Sequence, residues 1–421
     1  MVRVLQKMRE MTPERLWVAV GLFHAGVLAL LVGFDARWRG REACGREPRR
    51  WAVTLARDVF LIAVVIYVVS LLATLVANRT WTGRLHLGQI SLRLLGQALF
   101  IEGPLLGILL AWRHRAMQQR GKAVILAAAA VLLAAIHVDA YYIEPRMLVP
   151  RHYVIEPRAG TASERSIRIL HITDIQTPRI GAHEEKALRL GLSYKPDLIV
   201  MTGDYVQDAL GQPTEIQAAA DLRALMARIG FTAPLGVFAT EGDVGPPCHV
   251  VFAGTSVRCL PDQSARVDLP GGGTVSITGL TRGRGRERDP RVLGRLLAAA
   301  PEADYRIVIS HAPDFISAMP VNVDLALAGH THGGQVVIPF FGPPRTAIRL
   351  PRRYAGGLND YRGTPIHVSR GVGMEQGFDI PVRFLCPPEI GVLDLRLSDR
   401  ARLVRSGPVG RPTGPPVKSG S

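Results

Sequence analysis

Gly329-His330-Thr331-His332-Gly333-Gly334-Gln335 follows an apolar run, residues 323–328, that reads as a strand ending in a tight turn. Successive side chains on a strand point to opposite faces, whereas residues two apart share one. His330 and His332 therefore reach the same side of a strand end, where they suit one metal or two adjacent ones. Imidazole is the commonest ligand for transition metals at neutral pH. Gly333 and Gly334 remove side-chain bulk where the backbone turns close to a site. An exposed loop with two incidental histidines has the same local pattern, so the rest of the chain decides.

Upstream of this motif, short apolar runs at 167–173, 197–202, 235–239, 306–310 and 324–328 read as strands. Helix-type segments at 183–194, 215–229 and 290–300 alternate with them. That alternation predicts an α/β fold with largely buried sheets. Candidate ligands fall at the C-terminal ends of the strands, where such folds place their sites. In order they are Asp174 and Gln176, Asp204, Asp243, His311, and His330 with His332. A single Asp at a strand end is usually a turn or cap residue. Five successive strand ends that each supply an oxygen or imidazole ligand do not fit that explanation.

Over about 166–397 the chain resembles the calcineurin-like metallophosphoesterases, whose motifs run D-x-H, G-D, G-N-H-D, a lone H and G-H-x-H. Pro339-Phe340-Phe341-Gly342, Arg353-Tyr354-Ala355-Gly356-Gly357, Ser369-Arg370-Gly371 and Pro381-Val382-Arg383-Phe384 look like the membrane-associated bacterial branch. The resemblance implies a four-layer αββα sandwich over 166–398 with a two-metal centre. One metal would take Asp174, Gln176, Asp204 and His332. The second would share the bridging Asp204 and add Asp243, His311 and His330. Mixed oxygen and imidazole ligands suit Mn, Fe or Zn. Paired cations roughly 3.5–4 Å apart can activate water and offset charge during in-line attack on phosphorus.

Two motifs depart from the family. Gln176 stands where a His is usual, offering a neutral amide oxygen. The G-N-H-D tetrad becomes Gly242-Asp243-Val244-Gly245. Asp243 replaces the Asn ligand and adds a negative charge, while Val244 replaces the histidine that protonates the leaving group. Such general acid catalysis is worth about 10²–10⁴-fold. His249 and His183 are weak candidates to replace it.

Residues 1–145 read as a transmembrane region with four helices, at about 16–34, 59–77, 94–112 and 123–138. All five tryptophans lie at or near the edges of these stretches, as interfacial anchors do. Glu102 would be an ionisable group inside the third span. Lys and Arg counts in the loops lean, by 11 to 9, toward a multi-pass protein of the cell membrane whose large domain is extracytoplasmic. Residues 146–165 read as a connector and 399–421 as a basic, Pro/Gly-rich disordered tail.

The formal charge of +16 sits in the N-terminal part and the tail, because residues 159–399 carry 25 basic and 25 acidic groups. A neutral central domain argues against nucleic-acid binding. Arg282, Arg284, Arg286, Arg288 and Arg291 form a locally basic loop, which reads either as a contact for a substrate phosphate or anionic headgroups or as an ordinary solvated loop. Cys248 and Cys259 are able to pair in an oxidising compartment, and two free thiols fit the sequence as well. The expected activity is phosphatase or phosphodiesterase hydrolysis of a phosphoester or pyrophosphate bond. The natural partners are membrane lipids and a lipid-linked or membrane-proximal substrate. The competing reading is a metal-binding pseudo-phosphoesterase with a structural, sensory or partner-binding role, which Val244 favours.

Overall fold

The computed structural model describes residues 100, 103–116, 118–157, 162–207, 214–281, 289–319, 323–375 and 381–398. The expected spans 16–34 and 59–77, most of the first half of 94–112, Glu102, the arginine loop at 282–288 and the tail 399–421 lie outside the described residues.

Among the described residues, two helices lead into the domain, α1 (Gly103–Ala116) and α2 (Arg120–Val138). The sequence of α2 is rich in Ala, Leu, Ile and Val, and Ala123 and Ala130 are its buried positions. Gly107 of α1 approaches so closely that an added Cβ would stand 2.9 Å from the Ala130 Cβ. Small residues allow this kind of contact between apolar helices. The outward face of α2 is bare, with Val124, Ile125, Val131 and Leu132 between 61% and 70% exposed. α2 runs on through a π turn and a 3-10 turn to Arg146. Among the described residues, Arg120–Arg146 is the one helix long and apolar enough to cross a membrane. The expected span at 123–138 falls inside it.

Among its described residues the domain holds two six-stranded mixed sheets. The first is built from β1 (Val149–Ile155), β2 (Ala162–Ile172), β3 (Leu198–Met201), β4 (Val237–Ala239), β5 (Val257–Cys259) and β12 (Glu389–Ser398), in the order β1-β12-β2-β3-β4-β5. The second contains β6 (Gln263–Asp268), β7 (Thr274–Leu280), β8 (Tyr305–Ser310), β9 (Leu325–Ala328), β10 (Gly357–Tyr361) and β11 (Thr364–Val368), ordered β10-β11-β9-β8-β7-β6. Strands β2 to β5 are parallel, as are β7, β8, β9 and β11. Strands buried on both faces need no alternation, and Leu198-Ile199-Val200-Met201 is buried throughout.

One core lies between the sheets, joining Ile169, Leu198, Val200 and Leu393 of the first to Ile277, Ile307, Leu325 and Leu327 of the second. On the outer face of the first sheet, α3 (Ala182–Ser193) and α4 (Glu215–Ile229) bury Leu188, Leu222 and Leu225 against Leu170, Ile172, Ile199 and Met201. On the far side, α6 (Pro290–Ala299) and the 3-10 turn Pro313–Ala318 cover Val308, Ala326 and Val368. A short α5 (Cys248–Val251) follows the β4 loop. Helix ends carry their expected signals. Thr214 caps α4 by accepting from the Gln217 N–H, and Gly230 ends that helix with φ 64°.

The stretch 146–165, read from sequence as a connector, contains β1 and the first residues of β2. β1 pairs along its length with β12, parallel, from Val149 opposite Glu389 to Ile155 opposite Leu395. Its Pro150, Arg151 and His152 hide the strand from a hydrophobic scan. Those residues are tolerated because β1 is an edge strand, half exposed along its length.

The foot of α2 is joined to the domain. The buried Glu144 carboxylate accepts the N–H groups of Leu385, at 2.7 Å, and of Cys386. The Arg383 N–H in turn donates to the Ala140 carbonyl at 2.9 Å.

Candidate metal centre

β2, β3 and β4 are neighbours in the first sheet, and β8 and β9 are neighbours in the second. The loops leaving their C-terminal ends therefore converge. They bring Asp174, Asp204 and His311 into one group of potential ligands, and Asp243, His311 and His330 into another. His332 joins the first group, with Nε2 3.6 Å from Asp174 Oδ1. Gln176 follows on the same loop and is buried.

The backbone here is unusual in a consistent way. Asp174 (φ 48°), Gln176 (φ 37°), Asp204 (φ 51°), His330 (φ 70°) and His332 (φ 47°) all sit in the left-handed region. Each such residue costs about 1 kcal/mol or more, and the cost persists only where surroundings enforce it. The loops enforce it on one another. Asp174 N–H donates to the Gly203 carbonyl, Gln176 N–H to the Asp204 carbonyl, and His330 N–H to both Asp174 carboxylate oxygens. Gly203 (φ 96°) is required where β3 turns under His311, since a Cβ there would lie 2.6 Å from His311 Nδ1.

His311 is the shared element. Its Nδ1–H donates to the Thr202 carbonyl at 2.7 Å, which fixes the tautomer and leaves Nε2 facing the carboxylates. Nε2 lies 2.9 Å from Asp243 Oδ1, 3.1 Å from Asp204 Oδ2 and 4.0 Å from Asp174 Oδ1. Burial opposes a charge on this ring, yet Asp204, Asp243 and Asp174 together lift its pKa well above the ordinary range. The field that holds a proton there would hold a cation. Burial, with Asp204 beside it, also pushes Asp174 up to about 6, against the pull of His311 and His330. Burial alone would raise Asp243, but the adjacent His311 and His330 rings hold it well below the carboxylate range. Burial and the nearby Arg383 keep His332 neutral, the form that binds metal.

The residues fit a metal centre on a test that owes nothing to the sequence motifs. Gln176 Oε1 and His332 Nδ1 are buried and make no hydrogen bond, and His311 Nε2 faces carboxylate oxygens alone. Buried polar atoms are nearly always satisfied, and two orphaned atoms on the loops that carry Asp174 and His330, with an imidazole ringed by three carboxylates, suit divalent cations. Asp204 divides its oxygens. Oδ1 accepts the N–H groups of Asp243 (2.8 Å) and Val244 (3.0 Å), while Oδ2 faces His311.

Sequence reading overlooked a residue that sets the Gln176 amide. Gln176 Nε2 donates to Glu375 Oε2 at 2.9 Å, which fixes the amide and leaves Oε1 buried and free to coordinate. The other Glu375 oxygen accepts from Gln207 Nε2 at 2.7 Å, and the Glu375 N–H donates to Gln335 Oε1. Glu375 lies in a loop without strand or motif to flag it. Glu375→Ala should lower metal affinity by about 10–100-fold, the usual cost of losing such a support. Adding Gln176→His should recover most of it, because an imidazole needs no amide orientation. Metal titration by calorimetry reads both.

Of the proposed acids, His249 is exposed on α5 and belongs to neither ligand group. His183 is engaged with the Val372 carbonyl at 3.0 Å. Val244 contributes its N–H to Asp204 and a half-buried isopropyl group. Behind the site a buried chain links the sheets, from Thr202 Oγ1 to His171, from His171 Nδ1 to His367 Nδ1 at 2.8 Å, and from His367 Nε2 to Glu389 at 3.1 Å. Cys248 and Cys259 form a disulfide that ties α5 to β5, and Cys386 is free and buried.

Comparison with known proteins agrees with this geometry. The family model described as calcineurin-like phosphoesterase matches residues 167–334. The phosphodiesterase YaeI of Escherichia coli (strain K12) is 32% identical over 240 residues, covering 54% of this chain and 82% of that protein. YkuE of Bacillus subtilis (strain 168), called an uncharacterized metallophosphoesterase, is 28% identical over 279 residues, 64% of this chain and 93% of its own. An uncharacterized metallophosphoesterase of Aquifex aeolicus (strain VF5) is 26% identical over 284 residues, 63% of this chain and 97% of its own.

Proposed function

From the premise that the chain belongs to the calcineurin-like phosphoesterases and is a metal-dependent phosphoric ester hydrolase, we propose that it is a membrane-anchored two-metal phosphodiesterase or pyrophosphatase acting on lipid-linked or membrane-proximal substrates. Asp174, Gln176, Asp204 and His332 would hold one cation, and Asp204, Asp243, His311 and His330 the other. Bound there, Mn, Fe or Zn would polarise a phosphate oxygen and acidify the attacking water. The observation that carries the reading is the gathering of Asp174, Asp204 and His311, and of Asp243, His311 and His330, into two ligand groups that share one imidazole, with Gln176 Oε1 buried and unpartnered two residues from Asp174.

The chain's own residues limit the substrate. Asp204 has only Oδ2 left for bridging. Val244 has no proton to give where the family's acid stands. Hydrolysis then favours a leaving group that is a weak base, such as the phosphate released from an anhydride. The phosphodiesterase name of the Escherichia coli relative supports a diester or anhydride over a simple monoester.

The full chain, purified in detergent and loaded with Mn, should bind two metals and hydrolyse bis-p-nitrophenyl phosphate and a pyrophosphate-linked lipid. Two bound metals without turnover would favour the second reading, a metal-binding pseudo-phosphoesterase, for which Val244 and Gly245 are the specific evidence. Failure to bind metal would remove the centre itself.

The division into a four-span region over 1–145 and a catalytic domain over 166–398 is part of the same proposal, supported by the bare apolar face of α2. The Cys248–Cys259 disulfide supports an extracytoplasmic domain, since structural disulfides persist in oxidising compartments. Peptide mapping under non-reducing conditions, with thiols blocked at lysis, should recover residues 248 and 259 as a linked pair. Free thiols at both would place the domain in the cytoplasm.

A further inference from the structure

The metal loop continues into a surface that catalysis does not use. After Gln335 the chain makes a hairpin over 336–342, closed by the Ile338 N–H to the Gly342 carbonyl at 3.0 Å. Its base is tied to 384–385, with Phe384 N–H donating to the Gln335 carbonyl and Val337 N–H to the Phe384 carbonyl, each at 2.9 Å. Phe340 at the tip is fully exposed and has φ 65°, and Phe341 (55%), Leu385 (49%) and Ile338 (43%) are exposed beside it. A bulky residue held in the left-handed region with its ring in solvent gains nothing from the fold.

Two further observations indicate what covers this tip. Leu385 also donates its N–H to Glu144 at the foot of α2, where Tyr142 and Ile143 are exposed as well. The apolar tip therefore continues the surface from which the candidate span emerges. In addition, residues 336–359 contain four arginines, Arg345, Arg349, Arg352 and Arg353, and no acid. All four are exposed, and Arg352 stacks 4.3 Å from the centre of the Phe341 ring. Aromatic and aliphatic side chains flanked by arginine match a bilayer interface, with rings at the acyl boundary and guanidinium groups among phosphates.

We propose that the 336–342 hairpin, with Leu385 and the foot of α2, seats the mouth of the metal centre on an anionic bilayer surface. The inference rests on the membrane-anchored reading above and gives it an orientation. His332 lies three residues before Gln335, at the root of the hairpin. A substrate whose phosphate sits at headgroup level would meet the centre without leaving the bilayer.

The test uses the full chain in nanodiscs of phosphatidylglycerol, with Phe340→Trp compared with wild type. The added fluorescence should be blue-shifted and quenched by brominated acyl chains, and weaker quenching is expected in phosphatidylcholine. Phe340→Asp with Phe341→Asp should raise KM for a bilayer-embedded pyrophosphate lipid about tenfold, and leave bis-p-nitrophenyl phosphate hydrolysis unchanged. If the chain resists carbonate extraction but the introduced indole is neither shifted nor quenched, the hairpin proposal is overturned while anchoring stands. If carbonate strips the chain from membranes, the anchoring reading falls and takes the proposal with it. A concentration-dependent blue shift in detergent without lipid would assign the face to a second copy of the chain instead.

Discussion

Asp204→Asn is expected to lower turnover by about 10³-fold or more and to reduce bound metal from two ions per chain, with the fold intact. The reason lies in how Asp204 divides its oxygens. Oδ1 accepts two backbone N–H groups, from Asp243 and Val244, so an Asn there must keep its carbonyl on that side. The amide nitrogen is then forced toward His311 and the other ligands, where it can donate but not coordinate. The loop keeps its hydrogen bonds, so thermal stability of the metal-free protein should change little. Activity equal to wild type would mean that the bridging role is wrong or that the measured activity comes from a contaminant. Metal stoichiometry by mass spectrometry separates the two.

The second large effect is on stability. Arg383 is fully buried, and its guanidinium donates to the carbonyls of Arg370, Gly371, Gly373, Cys386 and His332. Burial lowers its pKa, but a guanidinium stays protonated in proteins. Arg383→Met would fit the volume and remove the guanidinium donors of the Arg370, Gly373 and Cys386 carbonyls, while Gly371 and His332 keep the Glu389 and Gln335 N–H groups. An unsatisfied buried acceptor costs about 1–3 kcal/mol, so a total loss above about 3 kcal/mol is expected. For a domain of this size that is a drop in Tm of roughly 6–12 °C. Arg383→Lys should recover only part of it, because an ammonium cannot span the same fork. A shift of less than about 2 °C in scanning calorimetry would contradict the role assigned to these bonds. Metal binding should weaken in parallel, since the His332 carbonyl is one of the acceptors.

The sequence made the site more legible than the fold around it. Ligands stand at strand ends, and the strands that carry them, β2, β3, β4, β8 and β9, are buried apolar runs that a periodicity argument finds. The remaining strands are harder to see. β6 and β7 form a hairpin around Gly271-Gly272-Gly273, with β6 largely polar and only Ala265 buried. β1 carries Pro and Arg on an edge, and its partner β12 comes from the opposite end of the domain sequence. The Gln176 departure was visible, and its compensation was not. Glu375 reaches Gln176 across 199 positions of chain from a loop with no periodicity. Pairing of Cys248 with Cys259 was one of two options on sequence and is resolved by their 6.0 Å Cα separation.

The bonds between Glu144 and residues 385–386 bear on how the catalytic half can be isolated. A cut at residue 166 follows the boundary that sequence suggests, but it removes β1 and the start of β2 and uncovers one side of β12. It also takes away the carboxylate that receives the Leu385 and Cys386 amides beside the Arg383 cluster. A fragment intended for crystals or for assays without detergent should therefore begin no later than Ala140, whose carbonyl receives the Arg383 amide. It would then carry the exposed Tyr142, Ile143 and Met147 into water. The natural breakpoint of this polypeptide lies within its last helix before the domain, so solubility and structural completeness pull the choice of cut in opposite directions.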